Sequence, residues 1–290
     1  MKKKLFQSVL FLTLLAIGVS CTQRMDVPLR SGDEKLVVEG YLFPKDSVSW
    51  IRLTKTSAYF SDAPSPAIRH AKVWVRHGQK QWLLSESDLQ PGRYFLRDTS
   101  FHLIPSDTFQ LKIKLQTPVG GYTDYESRTP VPPLRIHTDS IGIEFAPDFK
   151  KWMIRFYGQD LPGKDYYLFN SRVNGKIVSD SILLKTVRQD VFFDGRYVSG
   201  MVVQVLNENL LKSGDAYTLL ASNITKEYYD YLRALQDEVA DKNPLFSGPP
   251  ANATGNISHG AMGFFTAFFT NRYRVTIQSL QKRNKVRRFR

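Results

Sequence analysis

Cysteine and histidine are scarce in this chain. One of its 290 residues is cysteine, Cys21, and five are histidine. An intrachain disulfide is therefore excluded, and no histidine has a second metal ligand three or four residues further on, so the spacing of a zinc site is missing. Phosphate-binding loops, dinucleotide fingerprints and the G-x-S-x-G elbow of hydrolases are also absent. The sequence predicts no cofactor, no metal site and no catalytic residue, and we expect a protein that is not an enzyme.

Acidic residues are fewer than basic ones, 27 against 40, which gives a formal net charge of +13. The excess lies at the two ends of the chain. Three lysines stand near the start, six basic residues occupy the tail 282–290, and the rest of the chain carries +4. No nucleic-acid-binding motif accompanies this charge, so we predict no nucleic-acid partner. The tail is either a solvated, frayed end or a strip that contacts phosphate-bearing lipid headgroups.

Residues 1–20 have the layout of an export signal. A basic start precedes the apolar run 5–19, which is too short to anchor the chain across a bilayer. Gly18 and Ser20 then precede Cys21, and this segment resembles a bacterial lipobox, in which the chain is cut before a cysteine that carries acyl chains. Cys21 is therefore the predicted lipidation site, since two or more acyl chains hold a protein firmly on a membrane. An incidental buried thiol is the alternative.

The remaining chain predicts a mainly β fold of two β-sandwich-like domains. Residues 21–33 are polar and form a tether, and residues 34–129 contain many short strand-like runs, typical of a sandwich of immunoglobulin-like size. Three prolines within 130–133 cannot continue a central strand, so this segment is the predicted linker. Residues 134–281 resume the strand pattern and form the predicted C-terminal domain. Its Asn174-Gly175 pair predicts a tight hairpin turn.

One helix interrupts the β pattern, over 226–241. Apolar side chains recur along it at spacings of four, three and four, which places them on one face of a helix. These side chains are Tyr228, Leu232, Leu235 and Val239. Thr225 is expected to cap the amino-terminal end. We expect the apolar face to pack against the second sandwich, with a partner-binding face as the alternative.

The segment 243–263 is rich in Pro, Gly and Asn. Long irregular loops beside strands often carry function. Its candidate functional residues are Asn252, Asn256, His259, Gly260 and Gly263. The alternative is a structural crossover that leads from the helix back to a sheet.

Two further patterns favour structure over chemistry. Asp190 and Asp194 resemble a carboxylate pair, but Asp194-Gly195 is predicted to be a turn. The segment 160–165 also resembles a turn, and it is not a calcium loop because the ligand spacing of an EF-hand is missing. The four tryptophans are expected in the core of alternating strands, with a sugar-stacking platform as the alternative. They are Trp50, Trp74, Trp82 and Trp152.

Several segments together are similar to the Bacteroidota lipoproteins of domain of unknown function family 4249. Besides the signal with Cys21 and the linker, they are Leu36–Gly40 (LVVEG), Asp190–Gly195 (DVFFDG), Ser213–Asp215 (SGD), Ile224–Leu232 (ITKEYYDYL) and Asn256–Phe265 (NISHGAMGFF). The resemblance implies an outer-membrane lipoprotein of two β-rich parts, often encoded beside TonB-dependent receptors. It implies no established activity and transfers no catalytic residue.

Three short segments resemble the Asp-Ser/Thr-aliphatic sites that are O-glycosylated on exported proteins of this phylum. They predict modification at Ser47, Ser140 and Ser181. A pattern of three residues is a low-information signal.

From these features we expect a lipid-anchored binding or accessory protein of the cell envelope. The resemblance implies association with an outer-membrane TonB-dependent uptake system, so the expected partners are the membrane and a β-barrel receptor. One alternative is an independent glycan- or surface-binding lipoprotein. Another is an envelope hydrolase, which requires a clustered acid–base pair or a metal triad in the folded chain. The expected location is the outer membrane, on its periplasmic face or at the cell surface, and the oligomeric state stays open.

Overall fold

The structure, a computed structural model, describes residues 34–45, 47–57, 63–240 and 253–277, and the backbone of 287–289. These residues belong to one compact unit, Asp33–Arg290. Within the described ranges no helix is both long and apolar enough to cross a membrane. The predictions for the export signal, lipidation at Cys21, the tether and a functional role for Asn252 lie outside the described residues. Of the basic tail 282–290 only the backbone of 287–289 is described, and it forms a strand in a sheet, so this part of the tail is not a frayed end.

The first sandwich consists of two sheets that share one apolar core. In spatial order, sheet A contains β16 (Met262–Ala267), β1 (Leu36–Leu42), β2 (Ser49–Lys55), β6 (Arg93–Leu96) and β5 (Ser85–Glu86). Sheet B contains β4 (Lys80–Leu83), β3 (Lys72–His77), β7 (Thr108–Val119) and β8 (Tyr122–Pro130). Alternate residues of these strands point inward, as a period of two requires, and bury side chains such as Val38, Ile51, Val75 and Phe109.

The second sandwich also has two sheets. Sheet C contains β14 (Tyr197–Asn207), β10 (Lys151–Asp160), β9 (Ile136–Ala146) and β18 (Arg287–Phe289). Sheet D contains β12 (Lys176–Ile177), β11 (Tyr166–Val173), β15 (Ala216–Asn223) and β17 (Thr270–Thr276), and β13 (Thr186–Gln189) also pairs with β11. Trp152, Phe156, Phe169 and Tyr217 lie in the shared core. The predicted fold class, mainly β with two sandwiches and an amphipathic helix, is confirmed.

The predicted hairpin is also present. Asn174 and Gly175 have φ angles of 49° and 81°, the positive values that a type I′ turn requires, and they join β11 to β12. Short 3₁₀ helices connect other elements. They span Pro147–Phe149, Ile182–Leu184, Glu208–Leu210 and Ser258–Gly260.

Sheet A departs from the predicted division of the chain. Strand β16 lies within the range assigned to the C-terminal domain, yet it pairs in parallel with β1, with Val38 opposite Gly263. Its inward residues Phe265 and Ala267 are fully buried in the core of the first sandwich. A partner more than two hundred residues away leaves no local pattern in the sequence, so the linear boundary could not include it.

The proline-rich segment begins as part of the first sandwich. Pro130 ends β8, an edge strand where a missing N–H is tolerated, and lies opposite Thr108. The N–H of Val131 donates to the carbonyl of Asp107 at 2.8 Å, and its carbonyl accepts from the N–H of Ser106 at 2.8 Å. The chain is therefore tied to the first sandwich through Val131 and enters β9 five residues later.

The helix α1 (Lys226–Val239) has the predicted cap. Thr225 accepts a hydrogen bond from the N–H of Tyr228 at 3.1 Å. The helix ends two residues earlier than predicted, and Val239 is 53% exposed, so the apolar face is shorter than the spacing indicated. Tyr228 and Leu232 are buried in a cluster that includes residues of both sandwiches, among them Leu168 and Phe264. The helix therefore packs against both sandwiches and not against the second alone.

Candidate functional site

A cleft of about 730 Å³ lies between the outer faces of sheets A and D. Its volume is in the range of small-molecule sites, which often form where two domains meet. Helix α1 contributes Tyr228, Tyr231 and Leu235 to its lining. We call the two long sides of this cleft the sheet A wall and the sheet D wall.

The sheet A wall is aromatic. It includes Glu39, Tyr41, Phe43, Trp50, Arg52, Arg93 and Phe264. The rings of Tyr41 and Trp50 have centroids 4.8 Å apart, and the guanidinium of Arg93 lies 4.3 Å from the centroid of the Trp50 ring. The outer face of an antiparallel sheet is ordinarily polar, so these rings mark a surface that is covered or that binds.

The sheet D wall carries most of the polar groups. It includes Asn170, Arg172, Asp180, Lys185, Ser222 and Arg272. Asn170 and Arg172 share the outer face of β11 because they are two residues apart in one strand. Arg272 of β17 donates a hydrogen bond to the hydroxyl of Ser47, which connects the two walls.

Positive charge exceeds negative charge in the cleft. Five basic residues line it against two carboxylates, Glu39 and Asp180. Glu39 already forms an ion pair with Arg52 at 3.3 Å. Burial lowers the pKa of Lys185, and within the described part of the chain its ammonium has no ion-pair partner. The Nε atom of Arg172 is buried without a hydrogen-bond partner among the described residues.

The tyrosines of the cleft are neutral donors at ordinary pH. Burial raises the pKa of Tyr41, and it raises the pKa of Tyr231 to about 12. Burial also raises the pKa of Tyr228, whose hydroxyl lies 3.4 Å from that of Tyr41. These hydroxyls therefore stay protonated and can donate hydrogen bonds.

Two of the predicted loop residues have structural roles. The side chain of Asn256 accepts from the N–H of Phe265 at 2.8 Å and donates to its carbonyl at 2.7 Å, which fixes the loop to β16. Gly263 has a φ of +95°, and a Cβ there would lie 2.0 Å from the carbonyl oxygen of Val38. The loop therefore needs both residues to reach its place beside β1.

The other two described loop residues lie on the surface and do not line the cleft. His259 is exposed, has a φ of 59°, and stacks on Tyr122 with ring centroids 4.0 Å apart. Gly260 has a φ of +66° with open space around it. Among the described residues, neither of them lines the cleft or belongs to a cluster of metal-ligating groups.

Three carboxylates meet at one end of the second sandwich. Ligand atoms of Asp160, Asp190 and Asp194 lie within 4.8 Å of one another, and oxygen donors of this kind suit Ca²⁺ or Mg²⁺. Asp160 accepts hydrogen bonds from the hydroxyl of Tyr167 and the N–H of Gly195. The cluster is thus built into the fold by its own hydrogen bonds.

The other two carboxylates of this cluster also hold turns in place. Asp190 accepts from the N–H of Asp165 at 2.7 Å, and Asp194 accepts from the N–H of Gly163 at 2.7 Å. Residues 191–195 form a turn that includes the predicted pair Asp194-Gly195. Burial raises the pKa of Asp190 and of Asp165. These contacts explain the cluster without a bound ion.

The three predicted glycosylation sites differ in access. Ser181 is exposed, Ser47 is partly buried beneath Arg272, and Ser140 is 1% exposed in β9. The hydroxyl of Ser140 is therefore closed to an enzyme that acts on the folded chain. Burial of Trp82 and Trp152 fits the predicted core role, whereas Trp50 lines the cleft.

A profile of the family described as "Domain of unknown function (DUF4249)" matches residues 22–274. The chain belongs to this family. No curated protein matches the DUF4249 chain.

Two solved structures are similar to it at low scores. A cytokine receptor complex is 10% identical with a TM-score of 0.22, covering 84% of this chain and 97% of that one. The FN1–FN3 domains of chicken CNTN1 are 14% identical with a TM-score of 0.25, covering 64% of this chain and 59% of that one. Similarity at this level carries no functional argument.

Sequence reasoning missed most of the cleft in this DUF4249 protein. Tyr41 and Trp50 occupy outward positions of their strands, where alternation predicts polar residues, and that irregularity was the available signal. Arg172 and Lys185 carried no signal, because nothing in the sequence places sheet D opposite sheet A.

Proposed function

We propose that this DUF4249 protein is a lipid-anchored binding protein of the cell envelope whose ligand occupies the cleft. The observation that carries the proposal is the pairing of an aromatic wall with a polar, cationic wall across about 730 Å³. Rings supply apolar contact area at little cost in side-chain entropy, and guanidinium and amide groups supply directional hydrogen bonds. Such a lining is suited to hold a small or extended ligand.

The proposal is a binding role and not a catalytic one. Of the two carboxylates in the cleft, Glu39 is held by Arg52, and the cluster around Asp160 is engaged in turns. A pair of catalytic carboxyl groups must both be free to exchange protons with a substrate, and Asp180 is the one carboxylate among the described cleft residues that forms no ion pair. The envelope hydrolase is therefore the less favoured alternative.

The anchor and the partner complete the proposal. Acylation of Cys21 holds the protein on the outer membrane, and the ligand passes to a TonB-dependent β-barrel receptor. Membership of the DUF4249 family supports this association, because the sequence resembles lipoproteins often encoded beside such receptors. The proposal requires that anchor, cleft and receptor act together.

Affinity purification of the tagged native protein from solubilised envelopes tests the association. A β-barrel receptor is expected to co-purify with the unmodified protein. The Cys21→Ala variant is expected to lose both the receptor and the membrane fraction, while the exposed-surface variant Arg128→Gln keeps both. A clean purification that contains no barrel protein contradicts the association, and unchanged membrane fractionation of the alanine variant contradicts the anchor. Protease shaving of intact cells then assigns the membrane face.

A second candidate function is an independent glycan-binding lipoprotein. The position of the partly exposed rings of Trp50 and Tyr41 on one wall of the cleft favours it, since aromatic faces stack on sugar rings. Glycan binding without any co-purifying receptor is the result that separates this candidate from the first.

A further inference from the structure

We infer that the cleft takes an acidic oligosaccharide, one whose sugar rings stack on the sheet A wall while its carboxylates face Arg172 and Lys185. The inference rests on the proposed function, namely that the cleft is a ligand site, and it names the chemical class of the ligand. Three features of the cleft lead to it. Its two walls differ in chemistry, two of its cations form no ion pair among the described residues, and most of its lining comes from strands whose backbone is already paired on both sides.

The two walls differ in kind. Tyr41, Phe43 and Trp50 present ring surface on the sheet A side, and the rings of Tyr41 and Phe43 are parallel to within 3°. The sheet D side presents amide, hydroxyl and guanidinium groups, including Asn170 and Arg172. A sugar ring has an apolar C–H face and a polar rim of hydroxyl groups. A ligand with these two sides matches both walls at once.

The charge of the cleft favours an anion. Arg52 is compensated by Glu39, and Arg93 is engaged by the ring of Trp50. Lys185 feels the charges of Asp180 and Glu39 but forms no ion pair among the described residues, and the buried Nε atom of Arg172 has no hydrogen-bond partner there. A buried polar group without a partner is costly, and an incoming carboxylate that binds both cations removes that cost.

Asp180 opposes part of this positive charge. Asp180 is exposed, and it and Glu39 are the two carboxylates of the described lining that attract Lys185. Five basic side chains against two acids still leave the cleft positive. Asn170 and Arg172 lie about 7 Å apart along β11, a spacing that allows one sugar residue to engage both.

A peptide is the less suitable occupant. Extended peptides commonly add a strand to a free sheet edge and rely on main-chain hydrogen bonds. Strands β1, β2, β11 and β15 carry most of the wall residues, and each of them is already paired on both sides. Recognition in this cleft therefore depends on side chains, which suits a ligand that is itself rich in hydroxyl groups.

Titration calorimetry on the acylated full chain in detergent micelles tests the inference. The probes are tetrasaccharides of galacturonic, glucuronic and mannuronic acid, the methyl ester of each, and tetraglutamate. We expect at least one acid to bind and its ester to bind at least tenfold more weakly. Arg172→Gln and Lys185→Gln should each weaken that binding at least tenfold, about 1.4 kcal/mol. Arg128→Gln, a matched loss of charge on the outer face of sheet B, should change it less than twofold.

Three results overturn the inference: esters that bind as tightly as acids, tetraglutamate that binds while no sugar does, or no binding by any acid. Trp50→Phe keeps a ring in the wall and serves as a milder variant if the charge variants fail to fold. When one of these three results is obtained but a probe still binds in a Trp50-dependent way, or the receptor still co-purifies, the proposed function stands and only the ligand class is wrong. If no probe binds and no receptor co-purifies, both are wrong.

Discussion

The two sandwiches differ in the polar groups that they bury. Tyrosines aside, the buried polar side chains of the first sandwich within the described residues are all hydroxyls. They are Ser49, Thr54, Ser127, Thr129 and Thr266. The second sandwich buries carboxylates and amides as well. These are Asp160, Asp165, Asp190, Gln204 and Asn223. A carboxylate is far costlier to bury than a hydroxyl unless it is hydrogen-bonded, and a buried amide has both a donor and an acceptor to satisfy, so the two cores are specified differently.

Hydrogen bonds in the second sandwich show how this is achieved. Asn223 accepts from the N–H of Arg135 at 2.9 Å and donates to Asp165 at 3.1 Å, and Arg135 also binds Asp165 at 2.8 Å. This group fixes the chain where it enters β9. The first sandwich has a different device, because its core is completed by β16, a strand from the far end of the chain. One sandwich depends on polar side chains and the other on a distant strand.

The largest effect is expected where β16 meets β1. In Gly263→Ala the new Cβ lies 2.0 Å from the carbonyl oxygen of Val38, and the φ of +95° disfavours any side chain. The two strands must separate, so we expect a loss of at least about 3 kcal/mol in the free energy of unfolding. Urea unfolding measures it. Gly260→Ala has positive φ but open space and should cost about 1 kcal/mol. Equal losses in the two variants would show that the strand contact is unimportant.

The next effect concerns the buried carboxylates. Asp160→Ala leaves the buried hydroxyl of Tyr167 and the N–H of Gly195 without their acceptor. Hydrogen bonds to charged groups are worth about 1.5–3 kcal/mol each, so we expect a loss of about 3 kcal/mol in urea unfolding. Asp194→Ala is the control, because that exposed carboxylate accepts one bond from Gly163 and should cost about 1 kcal/mol. A loss below that of the control refutes a structural role for Asp160.

A smaller effect is expected at the helix that packs against both sandwiches. Thr225→Ala removes the acceptor of the Tyr228 N–H and should cost about 1 kcal/mol. Thr225→Ser keeps the acceptor and should stay near the unmodified value. Hydrogen exchange of the helix amides checks the change locally. Protection that is the same in both variants contradicts the cap.

The smallest effect is a pH dependence of opposite sign in the two sandwiches. Burial raises the pKa of Asp190 above its ordinary 3.8, so acidification through the folded pKa stabilises the fold. Burial alone would raise the pKa of Glu86, but the N–H groups of His70 and Gly92 and the Arg69 side chain hold it below 4.5. Acidification through that folded pKa removes stability.

Unfolding at about pH 7 and about pH 4 measures this contrast. As the pH falls, the free energy of unfolding of the unmodified chain should increase relative to that of Asp190→Asn. The corresponding difference for Glu86→Gln should shift the other way, and each shift is expected to be on the order of 1 kcal/mol or less. Shifts of the same sign in both variants contradict the assignment.

Local patterns in the sequence determined several elements. Three features were predictable because each depends on residues only a few positions apart in the sequence. They are the Asn174-Gly175 turn, the cap at Thr225 and the turn that includes Asp194-Gly195. Strand β8 was not predictable. Two of its three buried residues, Ser127 and Thr129, are small and polar, so the strand shows no hydrophobic alternation. For the residues of the carboxylate cluster around Asp160, the sequence predicted only turns. Burial of these carboxylates depends on contacts between β10, β11 and the turn, and such contacts are not visible in the sequence.

The sequence by itself determined that the chain is mainly β, with two sandwiches and one amphipathic helix, because periodicity and turn chemistry are local properties. Only the tertiary structure decided that β16 returns to β1 and that sheet A faces sheet D. The cleft follows from that second contact, since Trp50 and Arg172 lie in different sandwiches and no spacing in the sequence relates them. Long-range strand pairing is determined by burial of the apolar surface of the whole chain and not by local sequence patterns. That pairing places the candidate site where the two sandwiches meet.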